Sequence, residues 1–191
     1  MKRLVIFASG SGTNVENIVR YFSASDQVEV ALLLCNNPKA YVLERAKNLG
    51  LSAMTFNRTA FSKSNVVINL LKSINPDLII LAGFLWKIPD HIISSFPNRI
   101  INIHPALLPH DGCKGMYGRP VHEAVISKRE PESGITIHYV NEHYDEGAII
   151  FQTSCPLNES DTVDSLSGKI HALEMEHFPK IIESLLDKTS V

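Results

Sequence analysis

Residues 100–109 read IINIHPALLP and join the end of a strand to a proline-bracketed loop. Apolar isoleucines alternate with Asn102 and His104, and a period of two residues is typical of a β-strand. The alternation places both polar side chains on one face, and Pro105 ends the strand because proline has no N–H to donate. Since ligands bind at the carboxyl ends of strands in open α/β sheets, this stretch predicts a ligand site.

The chemistry of this polar pair suits proton and carbonyl transfer. An imidazole titrates near neutral pH and can carry a proton to or from a reacting group, while a carboxamide offers a fixed donor and acceptor. The alternative is a strand end with two satisfied polar groups, because one titratable residue is weak evidence of a site. The pairing of Asn102 with His104 at a strand end favours the catalytic interpretation.

The rest of the chain predicts a doubly wound, mostly parallel α/β sheet with an antiparallel excursion in the C-terminal half. Before the central stretch, strands are predicted at 4–8, 28–34, 52–56 and 78–81, and helices at 15–22, 40–48, 61–74 and 89–95. After it, a helix is predicted at 121–127, two strands at 135–140 and 148–151, and a final helix from 161 to 186. We expect one domain over residues 1–191, with a phosphate-binding half at 1–100 and a catalytic half at 101–191.

A glycine loop follows the first strand, where residues 9–14 read SGSGTN. It places backbone N–H groups and a helix N-terminus at a strand end, which is a ready anion site. It is not the dinucleotide fingerprint, because Val15 stands where the third glycine should be. A plain structural turn would also explain two glycines, but the polar side chains of Thr13 and Asn14 favour phosphate binding.

Composition excludes several classes of protein. The 191 residues are 45% hydrophobic and 20% charged, so the chain can bury a core. A net charge of -2 and a pI near 6.4 give no electrostatic footprint for nucleic acid, and no apolar run is long enough to span a membrane. Cys35, Cys113 and Cys155 form no C-x-x-C pair, so we expect neither a zinc site nor a disulfide framework. Proteins without disulfides are typical of reducing compartments, so we expect a cytoplasmic location.

Two further segments are candidates for the site. Asp145 follows a predicted strand and could approach Asn102 and His104, where a carboxylate would orient the imidazole and favour its charged form. The loop from Gly112 to Gly118 has the composition of a mobile lid. Because no Ser or Cys lies in a nucleophile elbow, the residues indicate direct acyl-type transfer between two bound substrates.

Four motifs stand in a characteristic order and spacing: SGSGTN at 9–14, LAGF at 81–84, NIHPALLP at 102–109 and DEGAII at 145–150. In these motifs the chain resembles the folate-dependent glycinamide ribonucleotide transformylases, members of the formyltransferase family with a Rossmann-like fold. The resemblance implies that the formyl group of 10-formyltetrahydrofolate, a co-substrate, passes to the amine of glycinamide ribonucleotide in purine (IMP) synthesis. It also implies small-molecule substrates, no metal, no membrane and a monomer or homodimer.

The resemblance assigns roles by motif. His104 would be the general acid, Asn102 would hold the formyl oxygen, and Asp145 would raise the pKa of His104 and order a water. The phosphate region of the ribonucleotide would lie at Gly12, Thr13 and Asn14, and its glycinamide end at Glu174. The residues expected to wrap the pterin are Leu85, Trp86, Lys87, Ile88, Asn141, Glu142, His143 and Tyr144, together with Asn102.

One segment departs from the family pattern, and three other functions are compatible with the motifs. The family often has an arginine before the strand at 78–81 that meets the folate tail, whereas residues 62–65 read SKSN and offer only Lys63. Rival interpretations are a formyltetrahydrofolate hydrolase, a transformylase for aminoacyl-tRNA or sugar nucleotides, and a catalytically silent nucleotide-binding module. The first usually adds an N-terminal domain and the tRNA enzyme a C-terminal one, so a chain running from the first strand to the last helix favours the transferase.

Overall fold

A computed structural model describes residues 1–109 and 118–188. Up to the fifth strand each strand is followed by one helix or, after the third strand, by two, and the last two strands are consecutive. The strands are β1 (Lys2–Ala8), β2 (Val28–Cys35), β3 (Ala53–Thr55), β4 (Leu78–Leu81), β5 (Ile100–His104), β6 (Glu132–Tyr139) and β7 (Ile149–Pro156). The helices are α1 (Thr13–Phe22), α2 (Val42–Asn48), α3 (Arg58–Ser62), α4 (Val66–Ile74), α5 (Asp90–Ser95), α6 (Arg119–Ser127) and α7 (Val163–Lys188).

The described strands form one sheet in the order β3-β2-β1-β4-β5-β6-β7. Neighbouring strands from β3 to β5 are parallel, and β6 and β7 continue the sheet in antiparallel pairing. This confirms the predicted fold class, including the antiparallel excursion. The strand order reverses between β1 and β4, and the crevice outside such a switch point is where ligands bind in open α/β sheets.

Each face of the sheet carries its own apolar core, because successive side chains of a strand point to opposite faces. From β1, Leu4 and Ile6 pack on one face with α1, α2, α6 and α7, while Val5 and Phe7 pack on the other with α3, α4 and α5. The fully apolar run of β1 is thus accounted for by burial on both sides, as is usual for parallel strands. The polar ends of the strands are therefore held on a rigid frame.

The prediction of a single helix at 61–74 is wrong, because the structure has two short helices, α3 and α4, in this region. The side chain of Asn57 caps α3 by accepting a hydrogen bond from the N–H of Ala60 at 2.9 Å, so the helix begins before Phe61. Residues 63–65 then break it before α4. The two predicted C-terminal strands are also too short: β6 begins at Glu132, which pairs with Pro156 at the end of β7, and mutual pairing extends both strands beyond their apolar centres.

The structure leaves residues 110–117 and 189–191 undescribed. The predicted lid, apart from Gly118, and Cys113 lie outside the described residues. No helix of residues 1–109 or 118–188 is long and apolar enough to cross a membrane. Over the same residues, no three His, Cys, Asp or Glu side chains group as metal ligands.

Candidate active site

The carboxyl ends of β1, β4 and β5 open onto one cavity of about 430 Å³. We call it the glycine-loop cavity. Its wall includes Gly10, Ser11, Gly12, Thr13, Asn14, Gly83, Phe84, Asn102, His104, Gly118, His122, Tyr144, Asp145, Ser167, His171 and Glu174. The three predicted groups of the catalytic set and the predicted phosphate loop thus border the same space.

Asp145 lies between two buried histidines. Its Oδ2 is 3.6 Å from Nδ1 of His104, and its Oδ1 is 3.6 Å from Nε2 of His138. The side chain of Asp145 is 5% exposed and the imidazole of His104 4% exposed. In such a dry setting a carboxylate favours the charged form of a neighbouring imidazole far more than it would in water. The arrangement can hold a proton on a histidine beside a reacting carbonyl.

His138 fixes the orientation of the Asn102 carboxamide. Its Nδ1 lies 2.9 Å from the carbonyl oxygen of Tyr139, which can only accept, so Nδ1 carries the hydrogen. In the neutral ring Nε2 then accepts, and it lies 3.2 Å from Nδ2 of Asn102. With the His138 ring neutral, the carboxamide presents its NH₂ group on this side, and the second N–H of that group can be donated to a substrate oxygen.

The loop after His104 is fastened to the antiparallel part of the sheet by a buried hydroxyl. Thr136 donates to the carbonyl of Ala106 at 2.7 Å and accepts from the N–H of Leu108 at 3.0 Å. Gln152 on β7 donates to both Thr136 and the carbonyl of Leu108. Because Thr136 is also the register partner of His104, these bonds hold the strand end in place.

The loop that carries Asp145 is also constrained. Asp145 has φ 57°, in the left-handed region that Asp and Asn tolerate better than other side chains. A Cβ on Gly147 would collide with the backbone carbonyl of Tyr139, so only glycine fits there. Asn141 closes the loop from the other side by accepting the N–H of His143 at 3.0 Å. The carboxylate therefore reaches the two histidines from a fixed backbone.

The glycine loop is packed against α2. Gly12 has φ 80°, and a Cβ there would collide with the side chain of Val42. Arg45 donates through Nε to the carbonyl of Ser11 at 2.9 Å and also bonds Glu16 on α1. Gly10, in contrast, has open space where a Cβ would be. Gly12 is therefore required by packing against Val42, whereas Gly10 leaves space in which a ligand can approach the backbone.

Asn14 and Glu174 meet across the cavity although they are 160 residues apart. Nδ2 of Asn14 donates to Oε2 of Glu174 at 2.9 Å. Burial raises the pKa of the Glu174 carboxyl, and the hydrogen bond from Asn14 and the nearby His171 oppose that shift. The predicted substrate residue Glu174 therefore borders the same cavity as the glycine loop, on α7.

A second, smaller cavity of about 40 Å³ lies on the other side of the β5 end. We call it the aromatic cavity. It is lined by Leu81, Phe84, Trp86, Lys87, Ile88, Asn102, His138, Val140, Asn141, His143, Tyr144 and Asp145. Most of the residues predicted to meet the pterin are in this wall. Leu85 and Glu142 are not, because Leu85 is turned to solvent with its N–H bound to Ser9 and Glu142 is exposed.

The two cavities share part of their walls. Phe84, Asn102, Tyr144 and Asp145 belong to both. A group bound against Asn102 can therefore be reached from either side.

The sequence analysis did not identify three residues that hold the Asn102 side chain and the loop after His104 in place: His138, Thr136 and Gln152. His138 and Thr136 alternate with apolar residues along β6, which is the same pattern that marked Asn102 and His104. That signal was present, but only the register of β5 with β6 shows that His138 pairs with Asn102.

Comparisons with known proteins agree with the geometry. The family model for formyl transferases matches residues 2–182. The phosphoribosylglycinamide formyltransferase of Bacillus subtilis (strain 168) is 35% identical over 97% of this chain and 95% of its own length. The chloroplastic enzyme of that name from Arabidopsis thaliana is 34% identical over 98% of this chain, which spans 66% of that relative. The crystal structure of phosphoribosylglycinamide formyltransferase from Bacillus halodurans superposes with a TM-score of 0.88 at 36% identity, covering 99% of this chain and 97% of that one. The chain therefore belongs to the formyl transferase family, and within it to the phosphoribosylglycinamide formyltransferase group that its motifs resemble.

Proposed function

We propose that this protein transfers the formyl group of 10-formyltetrahydrofolate to the amine of glycinamide ribonucleotide, a step of de novo purine synthesis. The observation that carries the proposal is the position of Asn102 and Asp145 in the wall shared by the two cavities, with the buried His104 beside Asp145 in the wall of the glycine-loop cavity. Transfer between two substrates requires both to reach one reacting carbon, and a shared wall provides that point. Names of relatives support the acceptor; the donor and the proton chemistry are inferred from the site.

Each residue of the set has a distinct role in the proposed step. The formyl-folate supplies an activated one-carbon group, which the acceptor amine attacks. Asn102 donates an N–H to the formyl oxygen, where negative charge develops. His104, protonated and held by Asp145, delivers a proton from Nε2 to the departing folate nitrogen. The amine loses one proton as its bond to carbon forms, so one proton enters and one leaves in each turnover.

The two cavities suit the two substrates differently. The glycine-loop cavity has backbone N–H groups at the N-terminus of α1, which favour a phosphate, so we assign it to the ribonucleotide. The aromatic cavity is lined by the rings of Phe84, Trp86 and Tyr144 and by the carboxamides of Asn102 and Asn141, a mixture of flat apolar surface and hydrogen-bonding groups that suits a pterin. The division into a phosphate-binding half at 1–100 and a catalytic half at 101–191 is part of this proposal, and the cytoplasmic location and oligomeric state stay predictions.

A folate-absorbance assay with and without glycinamide ribonucleotide tests this function. Turnover of 10-formyltetrahydrofolate only with the acceptor supports the transferase. Turnover without the acceptor would instead identify a hydrolase, and no turnover together with ribonucleotide binding would identify a silent binding module. Formylated ribonucleotide, measured by mass spectrometry, is the product that distinguishes transfer from hydrolysis.

The two glycines of the loop give a matched prediction. Gly10→Ala adds a methyl group where the protein leaves open space, so the free energy of unfolding should hardly change. If a phosphate approaches the backbone there, KM for the ribonucleotide should rise about tenfold, or ~1.4 kcal/mol, with KM for the donor unchanged. Steady-state kinetics with each substrate varied in turn gives the two values.

Gly12→Ala is the contrasting variant. Its methyl group collides with Val42 in a left-handed backbone, so it should lower the free energy of unfolding by about 1–3 kcal/mol. Thermal denaturation of both variants separates packing from ligand access. Equal changes in both KM values for Gly10→Ala would mean that the loop is structural only.

Arg58 is better placed than Lys63 to meet a negatively charged folate tail. Its guanidinium lies 4.5 Å above the centre of the Trp86 ring, and Trp86 lines the aromatic cavity, whereas Lys63 lies in the turn after α3. We expect Arg58→Gln to raise KM for a polyglutamylated donor roughly threefold to fivefold, the range of an exposed charge pair. Lys63→Gln is the matched control and should leave KM unchanged; the reverse pattern would return the role to Lys63.

A further inference from the structure

His122 is a buried histidine of the glycine-loop cavity that the proposed chemistry does not use. It lies in the first turns of α6, is 6% exposed, and contributes to the cavity wall. No group of the described residues lies within hydrogen-bonding distance of its Nδ1. A buried polar atom without a hydrogen-bond partner lowers the stability of the fold by about 1–3 kcal/mol. Such an atom in a cavity wall therefore indicates a ligand that supplies the missing hydrogen bond.

A second unpartnered atom lies in the same wall. Asn14 is 9% exposed, and within the described residues its Oδ1 has no hydrogen-bond partner. The orientation of this carboxamide is fixed, because its Nδ2 donates to Glu174. Oδ1 can only accept, and the Glu174 carboxylate beside it also accepts when ionised. This part of the wall therefore requires a ligand group that donates.

The charge state of His122 narrows the ligand further. Burial lowers the pKa of its imidazole, so the ring is neutral at neutral pH. A neutral imidazole has one donor and one acceptor nitrogen. The other titratable groups that line the cavity are His104, Tyr144, Asp145, His171 and Glu174.

The three parts of the ribonucleotide differ in what they offer. A phosphate offers acceptor oxygens, which the side-chain acceptors of Asn14 and Glu174 would repel, so the predicted phosphate role of the Asn14 side chain is replaced here and the phosphate is assigned to the backbone of the glycine loop. The amine must reach Asn102 and His104 for transfer. A hydroxyl both donates and accepts, which matches a neutral imidazole beside a carboxamide oxygen. The ribose joins the phosphate to the glycinamide, and His122 and Asn14 line the same cavity as the glycine loop and the Asn102–His104 pair.

We propose that His122 is a binding residue for the ribose of the acceptor, and that its imidazole and the Asn14 carboxamide oxygen hydrogen-bond the ribose hydroxyls. This assignment rests on the proposed function. It makes His122 a residue of acceptor affinity and specificity, on a different element from the glycine loop and from the Asn102–His104 pair.

The test is a thermodynamic cycle that compares the binding affinities of two proteins for two ligands. Wild type and His122→Phe are titrated by calorimetry with glycinamide ribonucleotide and with its 2′,3′-dideoxy analogue. We expect His122→Phe to weaken binding of the ribonucleotide about tenfold and binding of the analogue less than twofold. That difference, a ratio of fivefold to tenfold, is a coupling of about 1.0–1.4 kcal/mol between the imidazole and the hydroxyls. His122→Gln, which keeps a donor and an acceptor, should restore part of the affinity.

His177→Phe is the matched control, because His177 stacks on Phe151 and lies outside the wall of the glycine-loop cavity. It should leave both affinities unchanged. An equal loss for both ligands in His122→Phe, or no loss for either, overturns the ribose assignment. If that variant does not fold, His122→Ala enters the same cycle. Wild type that binds no ribonucleotide would overturn the proposed function itself, and the ribose assignment with it.

Discussion

His104→Ala should lower kcat by roughly 10²-fold or more, the usual reach of general acid catalysis. The imidazole is buried against Asp145 and borders the glycine-loop cavity, so its loss removes the proton donor next to the reacting carbon. Binding of the ribonucleotide should change much less, since the glycine loop and Glu174 are untouched. Rapid-quench measurement of the transfer step, with calorimetry for the binding step, separates the two effects.

His91→Ala is the control for His104, because this histidine is exposed on α5 and lines neither cavity of the site. It should retain full kcat. A His104→Ala enzyme that is folded by circular dichroism and keeps near-complete kcat would show that another group is the acid.

Asp145→Asn should lower kcat strongly, by about 10²-fold, and move the pH–rate profile to lower pH. In the proposed mechanism the carboxylate, 3.6 Å from Nδ1 of His104, stabilises the protonated imidazole, so we expect its removal to lower the pKa of that imidazole. Below the new pKa the acid is still protonated and above it is not, so activity that requires the acid is lost at a lower pH than in wild type. Asn tolerates the left-handed backbone at this position, so the loop should keep its shape.

The measurement is an NMR titration of His104 in wild type and in Asp145→Asn, alongside kcat as a function of pH. Asp161→Asn is a suitable control, because Asp161 is also held by a cation, Lys169, but lies outside both cavities. It can reduce stability without moving the profile. An unchanged titration of His104 with full activity would remove Asp145 from the mechanism.

Half of the site follows from local sequence, and the other half depends on pairing between distant strands. Asn102 and His104 could be placed on one face because a strand alternates with period two. Asp145 was proposed from its place after a predicted strand and from its motif, but its position between two histidines depends on a loop that turns at a positive φ. His138 was missed, since its partnership with Asn102 requires the register of β5 with β6, and alternation alone does not specify register.

The fold shows the same division. The parallel strands were predicted because burial on both faces makes their sequences continuously apolar. The division of 58–74 into α3 and α4 was missed, because a continuous apolar face hid the cap at Asn57. Gly12 was predicted to admit a phosphate, yet its local reason to be glycine is contact with Val42, from a helix thirty residues along the chain. Local sequence patterns predict helices and strands, whereas the role of a single residue depends on contacts between helices and strands that are distant in the sequence.

The wall shared by the two cavities has a consequence for inhibitor design. A single molecule that joins a ribonucleotide-like part to a pterin-like part through a short linker at Asn102 would occupy both cavities at once. Once one end is bound, the other is held at a local concentration set by the linker, so its affinity can exceed that of either half by 10²-fold to 10⁴-fold. Because Asn102 lines both cavities, a linker placed beside it can be short. Selectivity could then be tuned on the ring of Trp86 at one end and on the α6 and α7 wall at the other.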